Sequence, residues 1–226
     1  MLSFLTACAA GATKSAAESP TELPVSPLER TVGIEVLGCG FAPPTAGTGV
    51  VLSSDLVLVS GHVVAQSDGV SIVSGTTERQ GAVVAFDAAN DLALIETSGL
   101  DMVGVEFADG IDGAEVSVIT QQPDEDAVHS SASIVEVRPV EIQEVGGNAR
   151  NVRDAFSIDF LSRDGDSGAG VWNDDGALLG VVFAQTIESP QLAFVTASSV
   201  IEAFEANTER VVWECDPTRS RLAFAD

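Results

Sequence analysis

Tyrosine is absent from this chain of 226 residues, lysine occurs once, as Lys14, and histidine only twice. With aromatic residues at 5%, the sequence offers no aromatic binding platform. Ten basic residues against 34 acidic ones leave a formal net charge of −24. That balance argues against nucleic acid or an anionic membrane as a partner, and fits a solvated acidic surface that keeps a secreted protein in solution. Cysteine is scarce too, with Cys8, Cys39 and Cys215 only. Two cysteines and two histidines in the body of the chain give no zinc-ligand spacing, and no metal or other cofactor is expected. Beyond the first ten residues, no segment is apolar for long enough to span a bilayer.

What is present is a chain that should fold. Its length fits one large all-β domain or two small ones, and 45% of its residues are apolar. The first ten residues are short, apolar and small, and Leu5-Thr6-Ala7-Cys8 resembles a bacterial lipobox whose cysteine becomes the lipidated first residue. The usual positive segment before it is missing, so either the chain start lies inside a longer signal or the likeness is accidental. Residues 1–8 are taken as a signal remnant and 9–28 as a linker of Ala, Ser, Thr, Glu and Pro, too polar to join a core. The folded domain is then 29–226. In an oxidising compartment, Cys39 and Cys215 form one bridge that ties the tail to the first strands.

From Thr31 onward, short Val- and Ile-rich runs are broken by Gly, Asp and Ser, the pattern of β-strands. One group comprises Thr31 to Leu37, Gly49 to Leu52, Leu56 to Ser60, Val70 to Ser74, Ala82 to Phe86 and Leu92 to Glu96. A second comprises Glu115 to Thr120, Ser133 to Val137, Ala155 to Asp159, Ala169 to Trp172, Leu178 to Ala184 and Leu192 to Thr196. The polar connection Ser98 to Gly113 separates them, which predicts two β-barrels or sandwiches in tandem, about 31–97 and 114–206. Ser199-Val200-Ile201-Glu202 is a capping box, and with Phe204 it predicts a C-terminal helix packed on the second barrel. Gln121 to Ser131 and Val140 to Asp154 are expected as long loops. The latter contains Gly146-Gly147-Asn148 with Arg150 and Arg153, a usual place for specificity or gating.

The stretch Arg163-Asp164-Gly165-Asp166-Ser167-Gly168-Ala169-Gly170 is neither good helix nor good strand. Glycines around one serine allow a sharp turn that points backbone N–H groups into one concavity beside the Ser167 hydroxyl. A serine nucleophile needs a base. His62 closes the apolar run Val57-Leu58-Val59-Ser60-Gly61, where partial enclosure lets an imidazole titrate near neutrality. His129 lies among Asp126, Ser130 and Ser131, a surface context. The third group must be a carboxylate that orients the imidazole. Asp91, just ahead of Leu92-Ala93-Leu94-Ile95, fits best, and Asp87 and Asp101 compete in looser contexts.

Chain order narrows the choice. No histidine follows Ser167 and Ala169 breaks Gly-x-Ser-x-Gly, which excludes an α/β-hydrolase. His62, Asp91 and Ser167 in that order, with Gly-Asp-Ser-Gly around the serine and two six-stranded halves, resemble the chymotrypsin-like (trypsin-like) serine peptidases. The short spacings resemble their compact bacterial HtrA-like branch over about Thr31 to Ala206, with no PDZ-like segment expected after the last helix.

The resemblance implies an all-β fold of two six-stranded antiparallel β-barrels with a C-terminal helix, and it implies Ser167 as nucleophile, His62 as general base and then acid, and Asp91 as the orienting carboxylate. It also implies an oxyanion hole from the N–H groups of Gly165 and Ser167. Departures are Gly61 where the family has alanine, and Ala169-Gly170 after the serine motif. No activation site of the digestive enzymes is recognisable, so Asp166 must be satisfied locally. By family position, Leu161 lies at the base of the substrate pocket and Phe183, Ala184 and Gln185 along its wall. Without a carboxylate there, a small or medium apolar P1 residue is expected. The expectation is thus a monomeric, extracytoplasmic serine endopeptidase acting on proteins or peptides. The alternative is a catalytically silent binding or structural protein on the same fold.

Overall fold

The computed structural model describes residues 25–186, 191–207 and 209–210; Cys8 and Cys215 lie outside them. The first barrel closes in the order β1-β2-β3-β6-β5-β4. Its strands are β1 (Thr31–Gly38), β2 (Thr45–Val51), β3 (Leu56–Ser60), β4 (Ser67–Ser74), β5 (Thr77–Asp87) and β6 (Leu92–Glu96), with a single helical turn, α1 (Gly61–Val64), after β3. The second barrel closes as β11-β14-β13-β12-β7-β8. It is built from β7 (Glu115–Thr120), β8 (Val128–Val137), β11 (Ala155–Ile158), β12 (Gly170–Trp172), β13 (Leu178–Gln185) and β14 (Ala193–Ala197). Between β8 and β11 sits an antiparallel hairpin, β9 (Val140–Gln143) and β10 (Arg150–Arg153), and the chain continues from β14 into α2 (Ser198–Asn207). Both barrels are wholly antiparallel in their strand pairs.

The two-residue period of a strand explains how the barrels close and how they join. On β3, Val57 and Val59 face the first barrel's interior beside Val32, Ile34, Val36, Ile72 and Ile95. The alternate residues Leu56 and Leu58 face the other way, onto Trp172, Leu178 and Val181 of the second barrel and Ile201 and Phe204 of α2. A strand buried on both faces must be apolar or internally hydrogen-bonded, and β3 is apolar from Leu56 to Val59 and ends in Ser60, whose Oγ donates to the Val182 carbonyl. The second barrel encloses its own core around Ile134, Phe156, Ile158, Val171 and Val195. Arg30 buckles the connection between barrels, donating to the carbonyls of Val51 and Gly104.

The two barrels and the helix stand where the sequence put them, but three details differ. Val140 to Asp154 is a hairpin rather than a loop: Val140 and Arg153, paired across it, are its inward positions. Its strands are four residues each and mostly polar, too short for periodicity to declare. The other expected loop, Gln121 to Ser131, gives up its last four residues to β8, which starts at Val128. Finally, α2 begins at Ser198, two residues before the Val200 that a Ser199 cap implies, so Ser199 lies within the first turn, while Ser198 Oγ donates to the Ala108 carbonyl. Cys39, buried beyond β1, is disulfide-bonded, and its expected partner Cys215 lies outside the described residues.

Candidate active site

The site lies at the seam of the barrels, and each of its parts is fixed by local structure. His62 stands in the short turn α1, directly after the buried strand β3. Asp91 directly precedes β6 with a left-handed backbone, φ 53°, and its carbonyl accepts the Gly61 N–H at 2.9 Å. One carboxylate oxygen accepts the backbone N–H of His62 at 2.7 Å and the other faces His62 Nδ1 at 2.8 Å. An ionised carboxylate can only accept, so the proton sits on Nδ1 and Nε2 presents its lone pair. Ser167 Oγ lies 2.9 Å from that Nε2 and donates to it.

Burial pushes the His62 imidazole toward the neutral form, but the charge and hydrogen bond of Asp91 push harder the other way, against Arg153, and the pKa ends above its ordinary value. Of the competing carboxylates, Asp87 is spent on its own turn, accepting the N–H groups of Ala89 and Asn90 and the Asn90 side chain. Asp101 is exposed in the connection, and His129 pairs with Ser117 on the surface.

The Ser167 turn is bolted to both barrels. The Ser167 carbonyl accepts the Thr48 N–H at 2.9 Å, and the Gly168 N–H reaches the Val182 carbonyl at 2.7 Å. Thr48 Oγ1, fully buried, donates to the Gly165 carbonyl at 2.9 Å and accepts the Gln121 N–H at 3.1 Å. Gly165 and Gly168 have φ of 94° and 91°, a region that favours glycine. Gln122 Nε2 holds the Asp164 carbonyl at 2.9 Å, and because the peptide is planar and trans this directs the Gly165 N–H to the opposite side. Among the described residues, neither the Gly165 nor the Ser167 N–H has a protein acceptor.

Asp166, 1% exposed, accepts the Arg163 N–H at 2.8 Å through one oxygen, while the other has no partner among the described residues. Burial raises its pKa, partly offset by that bond and the Arg163 charge.

A sequence profile of the trypsin-like peptidase domain matches residues 47–181 of the chain, which contain all three of these residues. The chain belongs to the trypsin-like peptidase family. The serine protease Rv3671c of Mycobacterium tuberculosis is 30% identical over 158 residues, 69% of this chain and 40% of that protein. The chain thus spans less than half the length of the curated relative it matches. The crystal structure of the active form of the Rv3671c protease superposes with a TM-score of 0.76 at 25% identity, over 89% of this chain and 96% of that one. An HtrA-type protease with a tripeptide, AlgW, shares the fold at a TM-score of 0.68 and 16% identity, over 79% of this chain and 60% of that one.

The expected pocket residues fall into two groups. Phe183 is buried in a cluster with Val140 and Ala155, with Ala184 and Phe194 against it, whereas Leu161 and Gln185 are exposed. Phe183 stacks on Phe194 with ring centroids 6.1 Å apart, and the guanidinium carbon of Arg153 lies 3.7 Å from the Phe183 ring centre. Nothing in the sequence pointed to Thr48 or Gln122, and it placed Arg153 only in an expected specificity or gating loop, because each is one polar residue whose partner lies far along the chain.

Proposed function

We propose that this trypsin-like peptidase domain is a serine endopeptidase working through an acyl-enzyme, with His62, Asp91 and Ser167 as its triad. The observation that carries the reading is the unbroken line of hydrogen bonds from Asp91 through His62 to Ser167 Oγ. Ser167 Oγ attacks the peptide carbonyl carbon while its proton passes to His62 Nε2. The imidazolium keeps its Nδ1 proton directed at Asp91. Collapse of the tetrahedral intermediate breaks the C–N bond, and the leaving amine takes the proton from Nε2. Water then repeats the sequence on the ester and frees Ser167. The N–H groups of Gly165 and Ser167 receive the oxyanion, each worth about 3–4 kcal/mol of transition-state stabilisation.

The substrates are proteins or peptides with a small or medium apolar P1 residue, held along Leu161, Phe183, Ala184 and Gln185. We further place the protein outside the cytoplasm as a monomer, with Cys39 bridged to Cys215 and an anchor at Cys8. The charge and the cysteine usage support this setting. The test is a fluorophosphonate probe on the purified protein beside Ser167→Ala. Labelling of the wild type alone is the expected result, and absence of labelling in both overturns the reading in favour of a silent binding protein. Efficient cleavage only after Lys or Arg in a peptide library would overturn the P1 assignment.

A further inference from the structure

Arg153 is 3% exposed, an unusual position for a guanidinium in a protein whose surface could host it freely. It projects inward from β10, and its guanidinium carbon lies 3.7 Å from the centre of the Phe183 ring. Its Nη1 donates to the carbonyl of Asn90, while Nε and Nη2 have no partner among the described residues. The carbonyl of Asn90 belongs to the same peptide plane as the N–H of Asp91. The orientation of that plane about the N–Cα bond is the φ of Asp91, which at 53° lies in the left-handed region that an L residue enters only at a cost. The hairpin holds the same turn a second time, through the Val145 N–H on the Ala88 carbonyl at 3.0 Å.

We infer that Arg153 is a positioning residue for the reaction: it clamps the Asn90–Asp91 peptide so that the carboxylate of Asp91 stays on His62. Released, the peptide would rotate toward ordinary φ and carry the carboxylate away from Nδ1. The charged groups facing the guanidinium are Asp91 and Asp87, with Asp154 lining the same cleft and His62 beyond. Burial lowers the pKa of Arg153 to about 10, against the pull of those two carboxylates, so it stays cationic at neutral pH.

The inference rests on the peptidase reading of His62, Asp91 and Ser167, and the experiment separates the two. Full-length wild type, Arg153→Lys and Arg153→Met are compared in kcat and KM on one peptide substrate. The far-downfield proton resonance of His62 Nδ1–H, which needs no substrate, is recorded for each. The expected order in both kcat and resonance intensity is Arg, then Lys, then Met. The methionine variant should be down about 10- to 100-fold in kcat, the range an ångström of misplacement produces, with KM unchanged. A folded methionine variant with wild-type kcat and resonance overturns the clamp, as does a change confined to KM. If the methionine variant does not fold, the lysine variant decides: a weakened resonance with lower kcat at constant KM supports the clamp, and wild-type behaviour overturns it. A wild type that cleaves nothing sinks the peptidase reading, while the resonance still reports on the clamp.

Discussion

Replacing Gly168 by alanine tests the claim that the nucleophile turn is held in one shape by its fit against β2. A Cβ at Gly168 would lie 2.0 Å from the Thr48 carbonyl oxygen and 3.2 Å from the Ser60 nitrogen. Real Cβ contacts do not fall below 3.0 Å, so the turn or the strand must retreat by at least about 1 Å. Neither neighbour is a side chain that can swing away. The left-handed backbone adds about 1–2 kcal/mol for a non-glycine residue, and forced repacking about 1–3 kcal/mol. Together these give roughly 2–5 kcal/mol, which in a chain of this size lowers the melting temperature by about 4–20 °C.

The same retreat pulls Ser167 Oγ from His62 Nε2, and an ångström there costs about 100-fold in kcat/KM. Thermal melts and steady-state kinetics read the two effects separately. Gly165→Ala is the comparison: its φ is equally unfavourable, but its nearest neighbour is the Gln122 side chain, which can move. It should therefore lose activity with a smaller loss of stability. A Gly168→Ala protein with wild-type melting and turnover would refute the argument.

Thr48→Val keeps the shape and removes the hydroxyl, leaving the Gly165 carbonyl and the Gln121 N–H unpaired in a buried place; denaturant unfolding should show a loss of about 1–3 kcal/mol for each. Because the pKa of His62 is raised and the base must be neutral, kcat/KM should fall with decreasing pH through a midpoint above about 6.5, and Asp91→Asn, which removes the cause, should move that midpoint down while reducing kcat by about 10⁴-fold. The raised pKa of buried Asp166 means that its wild-type stability is present at low pH and lost as pH rises through that value. Asp166→Asn keeps the acceptor for the Arg163 N–H without the charge, so it should melt higher than wild type at pH 7, with the gap closing in acid.

The two barrels were legible because strand signals are local. Val, Ile and Leu alternate or run continuously over five to eight residues in β1, β3 and β13, and each run carries its own burial pattern. His62, Asp91 and Ser167 could be singled out for a different reason: a candidate nucleophile, base and carboxylate are rare enough in the right contexts that chain order could select them. With two histidines in the whole chain, the choice of base was nearly made by composition. What composition could not give is contact. His62 and Asp91 are 29 positions apart and His62 and Ser167 are 105 apart, and only barrel closure makes those separations into bonds of 2.8 and 2.9 Å.

The supports of the site belong wholly to the tertiary structure. Thr48 meets Gly165 across 117 positions and Arg153 meets Asn90 across 63, and nothing beside either residue in sequence announces the partner. The hairpin that brings Arg153 inward is made of four-residue strands whose pattern only pairing reveals. Sequence by itself thus determined the barrels and singled out His62, Asp91 and Ser167, because both depend on residue type and local period. The left-handed Asp91, the two-sided grip on the nucleophile turn and the buried guanidinium behind the acid were decided by the packing of one barrel against the other, which no local pattern encodes.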